Sequence, residues 1–149
     1  MKKFSYRLAA LLKLKEHREK ERQKEHAQAV NKVVQQKEQL KAIDHHRRGT
    51  LDYQREALSG RLSLAQLQAC SRYLVKLKGD TLMGRETLRG FEAEAEKKRQ
   101  LLVAASRERE TYEKHRDKLA ERHYKDADLA ETKENDEIAL TTFRRKRAG

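Results

Sequence analysis

The side chains best suited to nucleophilic attack or transition-metal binding in this sequence are one cysteine, Cys70, and six histidines. No two of the histidines stand four residues apart, the spacing that puts paired ligands on one helix face. His45 and His46 are adjacent, so on a helix their side chains diverge by about 100°. Cys70 falls on an apolar stripe, where a cysteine is usually a small, inert packing residue. No G-x-x-x-x-G-K-[ST] loop is present to cradle a nucleotide's phosphates. These residues therefore point to no catalytic, cofactor or metal site, and the expectation is a protein that is not an enzyme. What the chain has in quantity is charge. Thirty-six Lys and Arg accompany 24 Asp and Glu, for a net charge of +12. The basic excess sits at the two ends, in residues 1–24 and in Arg144-Arg145-Lys146-Arg147. Such ends can attract an acidic protein, an anionic membrane surface or nucleic acid, or simply keep helix faces solvated.

The elements that carry these charges are helices. Charged residues make up 40% of the chain and apolar ones only 36%, a composition dominated by Ala, Glu, Lys, Leu and Arg. That mixture belongs to long helices and coiled coils rather than to a compact globule. Proline is absent, which favours unbroken helix over disorder. One turn signal dominates: Leu58-Ser59-Gly60-Arg61-Leu62-Ser63. Gly60 is suited to a left-handed helix end. Ser63 reads as an N-cap with Gln66 completing a capping box, and Leu62 with Leu67 as a hydrophobic staple. The chain is expected to form one domain over 1–149: helix 1 at about 5–58, a turn at about 59–63, helix 2 at about 64–143, and a basic tail at 144–149. At 1.5 Å per residue the helices would be roughly 80 and 120 Å long. A short loop between them requires an antiparallel hairpin. The expected fold is all-α: a long antiparallel two-helix coiled-coil hairpin.

Helix 2 carries a seam of 3.5-residue period from Leu67 through Cys70, Leu74 and Leu77 to Leu119, the pattern of a left-handed coiled coil. Helix 1 carries a weaker one: Phe4, Leu8 and Leu11, then Val30, Val33, Leu40, Leu51 and Leu58, with Ile43 nearby. If the turn is centred near residue 61, position i faces roughly 122 minus i. The polar stretch 15–26 then lies opposite 96–107, where alkyl stems of Lys and Arg, or a partner, must cover Leu101, Leu102 and Val103. Gly79, Gly84 and Gly90 soften helix 2 and mark a bend, a close contact or mere tolerance.

Several classes are disfavoured. The apolar run Leu8–Leu12 is too short for a secretory signal, and no stretch approaches the ~20 apolar residues that span a bilayer. A lone cysteine fits a reducing cytoplasm. A zipper-type DNA reader needs a basic helix feeding a parallel dimer, which the turn forbids, although non-specific phosphate attraction remains open. Aromatics do not interleave with the basic clusters as a single-strand platform requires.

Three regions resemble the FliJ family of flagellar export proteins. They are Phe4-Ser5-Tyr6-Arg7-Leu8 with Leu11-Leu12-Lys13-Leu14-Lys15-Glu16; Gly60, Ser63 and Leu67 with Tyr73-Leu74 and Leu77; and Glu134-Asn135-Asp136-Glu137-Ile138-Ala139 before the basic tail. The resemblance covers nearly the whole chain. It implies a soluble stalk of the flagellar type III export apparatus, acting in motility. Such a stalk enters the hexameric export ATPase ring, promotes its assembly and activity, and reaches the cytoplasmic domain of the membrane export gate and the export chaperones. It further implies a cytoplasmic protein held peripherally at the inner membrane of the flagellar base. The resemblance implies gate contacts at Gln39, Ile43, Tyr73 and Leu77, of which the last three are equally readable as seam residues. It implies ring contacts at Arg7, Lys13, Lys15, Arg18 and Arg22. His46 and Thr50 stand where the family tends toward aromatics. The stalk of a virulence-type secretion system and a basic nucleic-acid-associated coiled coil are the alternatives.

Overall fold

The computed structural model describes residues 3–60 and 63–147. It contains two helices, α1 (Ala9–Leu58) and α2 (Leu64–Arg147), and no strand among the described residues. The helices pack against each other within two compact units, one formed by 20–103 and one by 1–19 with 104–149.

In the 20–103 unit the α2 seam follows its 3.5-residue period without interruption. Leu67, Cys70, Leu74, Leu77, Thr81, Gly84, Leu88, Phe91, Ala95, Lys98 and Leu102 are all withdrawn from solvent, and of the residues between them only Glu94 joins them. The α1 seam differs from the expected one. Ala29, Gln36, Ile43, Thr50 and Ala57 recur at seven-residue steps and face inward, whereas Val30, Leu51 and Leu58 are exposed. Val33 and Leu40 take their expected places in the seam, but at Val30, Leu51 and Leu58 the inward position is the residue before. One residue is about 100° of helix, enough to move a side chain out of the interface.

Small groups set the closeness of this packing. Gln36 is buried and its Nε2 donates to the Gly84 carbonyl at 3.1 Å. A Cβ on Gly84 would lie 2.8 Å from Leu40 Cδ2 and 3.2 Å from Gln36 Nε2. Gly84 is thus the close contact among the three glycines; a Cβ at Gly79 or Gly90 meets nothing within 4 Å.

The end of α1 and the start of α2 are capped differently. Gly60 does not adopt a positive φ, contrary to expectation. Instead α1 tightens, with Ser59 N donating to Glu56 O at 3.2 Å and Gly60 N to Ala57 O at 3.3 Å. These i to i−3 bonds satisfy carbonyls that a left-handed glycine would otherwise serve. At α2 the reciprocal capping box forms: Gln66 N donates to Ser63 Oγ and Ser63 N to Gln66 Oε1, both at 3.3 Å. The staple partner Leu62 lies outside the described residues.

In the unit formed by 1–19 and 104–149, α1 begins at Ala9, four residues later than expected. The non-helical segment before it carries Phe4 to the ring of His123, at 5.7 Å between centroids. It also places the Tyr6 hydroxyl 3.0 Å from His115 Nδ1 and 3.3 Å from the Tyr112 carbonyl oxygen. Leu12 and Ala105 are the buried apolar residues of this unit. The basic run 144–147 continues α2, where cations complement the helix C-terminus. Every described residue from 128 onward is exposed.

Candidate interaction surfaces

The expected ring contacts divide into exposed and paired cations. Arg7, Lys13 and Arg18 are exposed. Lys15 is not free: its Nζ reaches Glu108 at 2.7 Å and lies 5.9 Å from the Tyr112 ring centroid. Glu19 is flanked by Arg109 and accepts a hydrogen bond from Ser106 Oγ, while Arg109 also pairs with Glu113 along its own helix. In the 20–103 unit, Arg22 pairs with Glu25 at 2.9 Å, and the same carboxylate takes Lys98 from α2 at 2.9 Å.

Lys98, then Arg22, holds the Glu25 carboxyl below its ordinary range. Lys15 does the same to Glu108. Within the polar stretch 15–26, Lys15, Glu19 and Glu25 thus meet α2 through directed ion pairs. Glu94 and Lys98, spaced for a pair along α2, instead cross to Lys32 at 3.5 Å and to Glu25. Leu101 and Val103 stay exposed.

The expected gate contacts all lie in the 20–103 unit, at different depths. Gln39 is exposed, Tyr73 is 39% exposed, Ile43 is half-buried, and Leu77 is buried at 4%. Tyr73 lines a shallow groove of about 430 Å³ with His46, Thr50, Tyr53 and the free thiol of Cys70. Gln39, Ile43 and Leu77 do not line it. His46 and Thr50 thus sit beside Tyr73. Their side chains give this groove a more polar wall than aromatics would.

Sequence reasoning missed a second groove, on the other flank of the seam, lined by Leu40, Leu51, Leu74 and Leu82 with Arg47, Lys78 and Arg85. Its signal was present. Leu51 and Leu82 are both exposed, off the seam, and line this groove, whereas the sequence pattern places Leu51 in the seam.

Among the described residues no cluster of His, Cys, Asp and Glu suits a metal ion, and no helix is long and apolar enough to cross a membrane. No curated protein matches the chain, and neither does any solved structure. One protein family does: its model, described as Flagellar FliJ protein, matches residues 4–148. The structure has two long helices that pack against each other; with that family match, the chain belongs to the FliJ family of flagellar proteins, whose role is related to flagellar export.

Proposed function

We propose that this protein is the stalk and coupling component of the flagellar type III export apparatus. It inserts into the hexameric export ATPase ring, promotes ring assembly and ATP turnover, and links the ring to the cytoplasmic domain of the membrane export gate and to export chaperones. It works on the cytoplasmic side, held peripherally to the inner membrane at the flagellar base. The observation that carries this reading is the family match over 4–148. A helix pair whose surface is patterned and whose grooves are shallow suits docking between proteins better than enclosing a substrate. Arg7, Lys13 and Arg18 are the exposed cations available to an acidic ring surface. Tyr73 and Gln39 are the accessible members of the proposed gate surface, while Ile43 is half-buried and Leu77 buried.

Mixing the protein with its cognate export ATPase tests the reading. Ring assembly, followed by light scattering, and ATP turnover are both expected to rise. No change in either quantity sinks the proposal.

A further inference from the structure

The two flanks of the 20–103 unit present different chemistry. The flank holding Tyr73 is aromatic, His-rich and weakly charged. The opposite groove, about 570 Å³ in volume, has a leucine floor and a basic rim. Leu82 is 59% exposed and Leu51 36%, although neither packs in the seam. Thr81, the floor's hydroxyl, is already committed, donating to the Leu77 carbonyl at 2.8 Å. Among the described residues that line it, Asp44 is the only acid, and it is held by Arg47 and by Arg48, each at 2.8 Å. Lys78 and Arg85, seven residues apart on one face of α2, form no ion pair among the described residues.

We propose that this groove binds an acidic amphipathic helix from another protein. Each wall exposes only helix side chains, so an extended peptide would find no backbone partners and leave its own polar groups unpaired. A helix satisfies its backbone internally and can lay an apolar face on the leucines. The walls run from 40 to 51 and from 74 to 85, about 16 Å each, which is about three turns of an occupying helix. Carboxylates flanking its apolar stripe then meet Lys78 and Arg85, since Arg47 is already paired with Asp44. Charge complementarity selects an acidic partner and rejects a basic one. The leucine floor makes a polyanion without apolar groups a poor fit. The inference stands independently of the export reading, since it uses the flank that lacks Tyr73.

A synthetic helical peptide of about 15 residues, with leucines at i, i+4, i+7 and i+11 and glutamates beside them, is the probe. A counterpart with lysine in place of glutamate is the control. Fluorescence anisotropy with the full chain is expected to show binding of the acidic peptide only, weakening between about 50 and 300 mM salt. The pair Lys78→Glu and Arg85→Glu is expected to weaken it about tenfold, with an intermediate loss for Lys78→Gln and Arg85→Gln. Both side chains are exposed, so circular dichroism should show the helices retained. A photocrosslinker at Leu82 should capture the peptide, and one at Tyr53 should not. The proposal is overturned by absence of binding, by equal binding of the lysine peptide, by indifference to both charge variants, or by capture at Tyr53. Concentration-dependent self-association abolished by the same variants would assign the groove to a second copy and overturn it as well.

Discussion

At the scale of single residues, the three glycines of α2 separate cleanly. Each would gain about 1 kcal/mol of helix propensity as alanine. Gly79 and Gly90 have open space for the methyl group, so Gly79→Ala and Gly90→Ala are expected to raise the thermal midpoint. Gly84 faces Leu40 and Gln36, and both would have to move in a seam with few apolar contacts to spare. Overpacking costs about 1–3 kcal/mol, so Gly84→Ala is expected to be neutral to destabilising. A thermal midpoint for Gly84→Ala at or above that of Gly79→Ala would show that the close approach does not constrain the helices. Tyr73 differs from Leu77 in the same way. Tyr73→Ala removes an accessible ring and, on the proposed function, should weaken binding to the gate's cytoplasmic domain while leaving stability nearly unchanged. Leu77→Ala opens a cavity, with an expected cost of about 2–5 kcal/mol. Titration calorimetry beside urea unfolding separates the two effects.

At the scale of elements, the legibility of each helix followed from what its seam is made of. Leu67, Leu74, Leu77, Leu88 and Phe91 spell the α2 seam in large apolar residues, and the capping box at Ser63 marks its start. In the α1 seam Val33, Leu40 and Ile43 are legible, but they alternate with Ala29, Gln36, Thr50 and Gln54, which hydropathy barely distinguishes from surface, while Val30 and Leu51 lie conspicuously one residue away. Its register is imposed by α2 and becomes visible only when the helices are paired. The same holds for the cations. Nothing local tells Lys15 from Lys13, yet one is bonded to Glu108 and the other is exposed. The leucine groove is hidden for a related reason: its Leu51 fits the apolar pattern of a seam residue, and only the paired helices show it exposed.

Because carboxylates are part of these polar layers, α1–α2 pairing should depend on acid pH. The Glu25 and Glu108 groups have folded-state pKa values below their ordinary 4.5. A depressed carboxylate contributes stability that is fully present above the unfolded value and lost as pH falls through the folded one. Urea midpoints are therefore expected to be level on these groups' account above about pH 5 and to decline below about 4.5. Glu25→Gln with Glu108→Gln should flatten that decline, and high salt should shrink it. An unchanged acid slope in the double variant would assign the decline to other carboxylates.

At the scale of the whole molecule, a net charge of +12 is not uniformly available to a partner. Lys15 and Arg22 spend their charge on Glu108 and Glu25. Arg7, Lys13 and Arg18 face solvent. If the protein stimulates an export ATPase by electrostatic attraction to an acidic ring surface, the two groups should fail in different assays. Arg7→Glu, Lys13→Glu and Arg18→Glu together should reduce stimulation of ATP turnover by about tenfold or more at low salt, with little change in thermal midpoint. Lys15→Gln should do the reverse, slightly lowering the thermal midpoint through loss of its pair with Glu108 while stimulation persists. In a deletion strain that has lost swimming, the triple variant should then fail to restore motility where Lys15→Gln succeeds. Full stimulation by the triple variant would remove the exposed cations from the ring contact and leave helix shape as its basis. Loss of stimulation in Lys15→Gln at unchanged stability would instead make the Lys15–Glu108 pair part of that contact, since a merely structural bond has no other route to the ATPase.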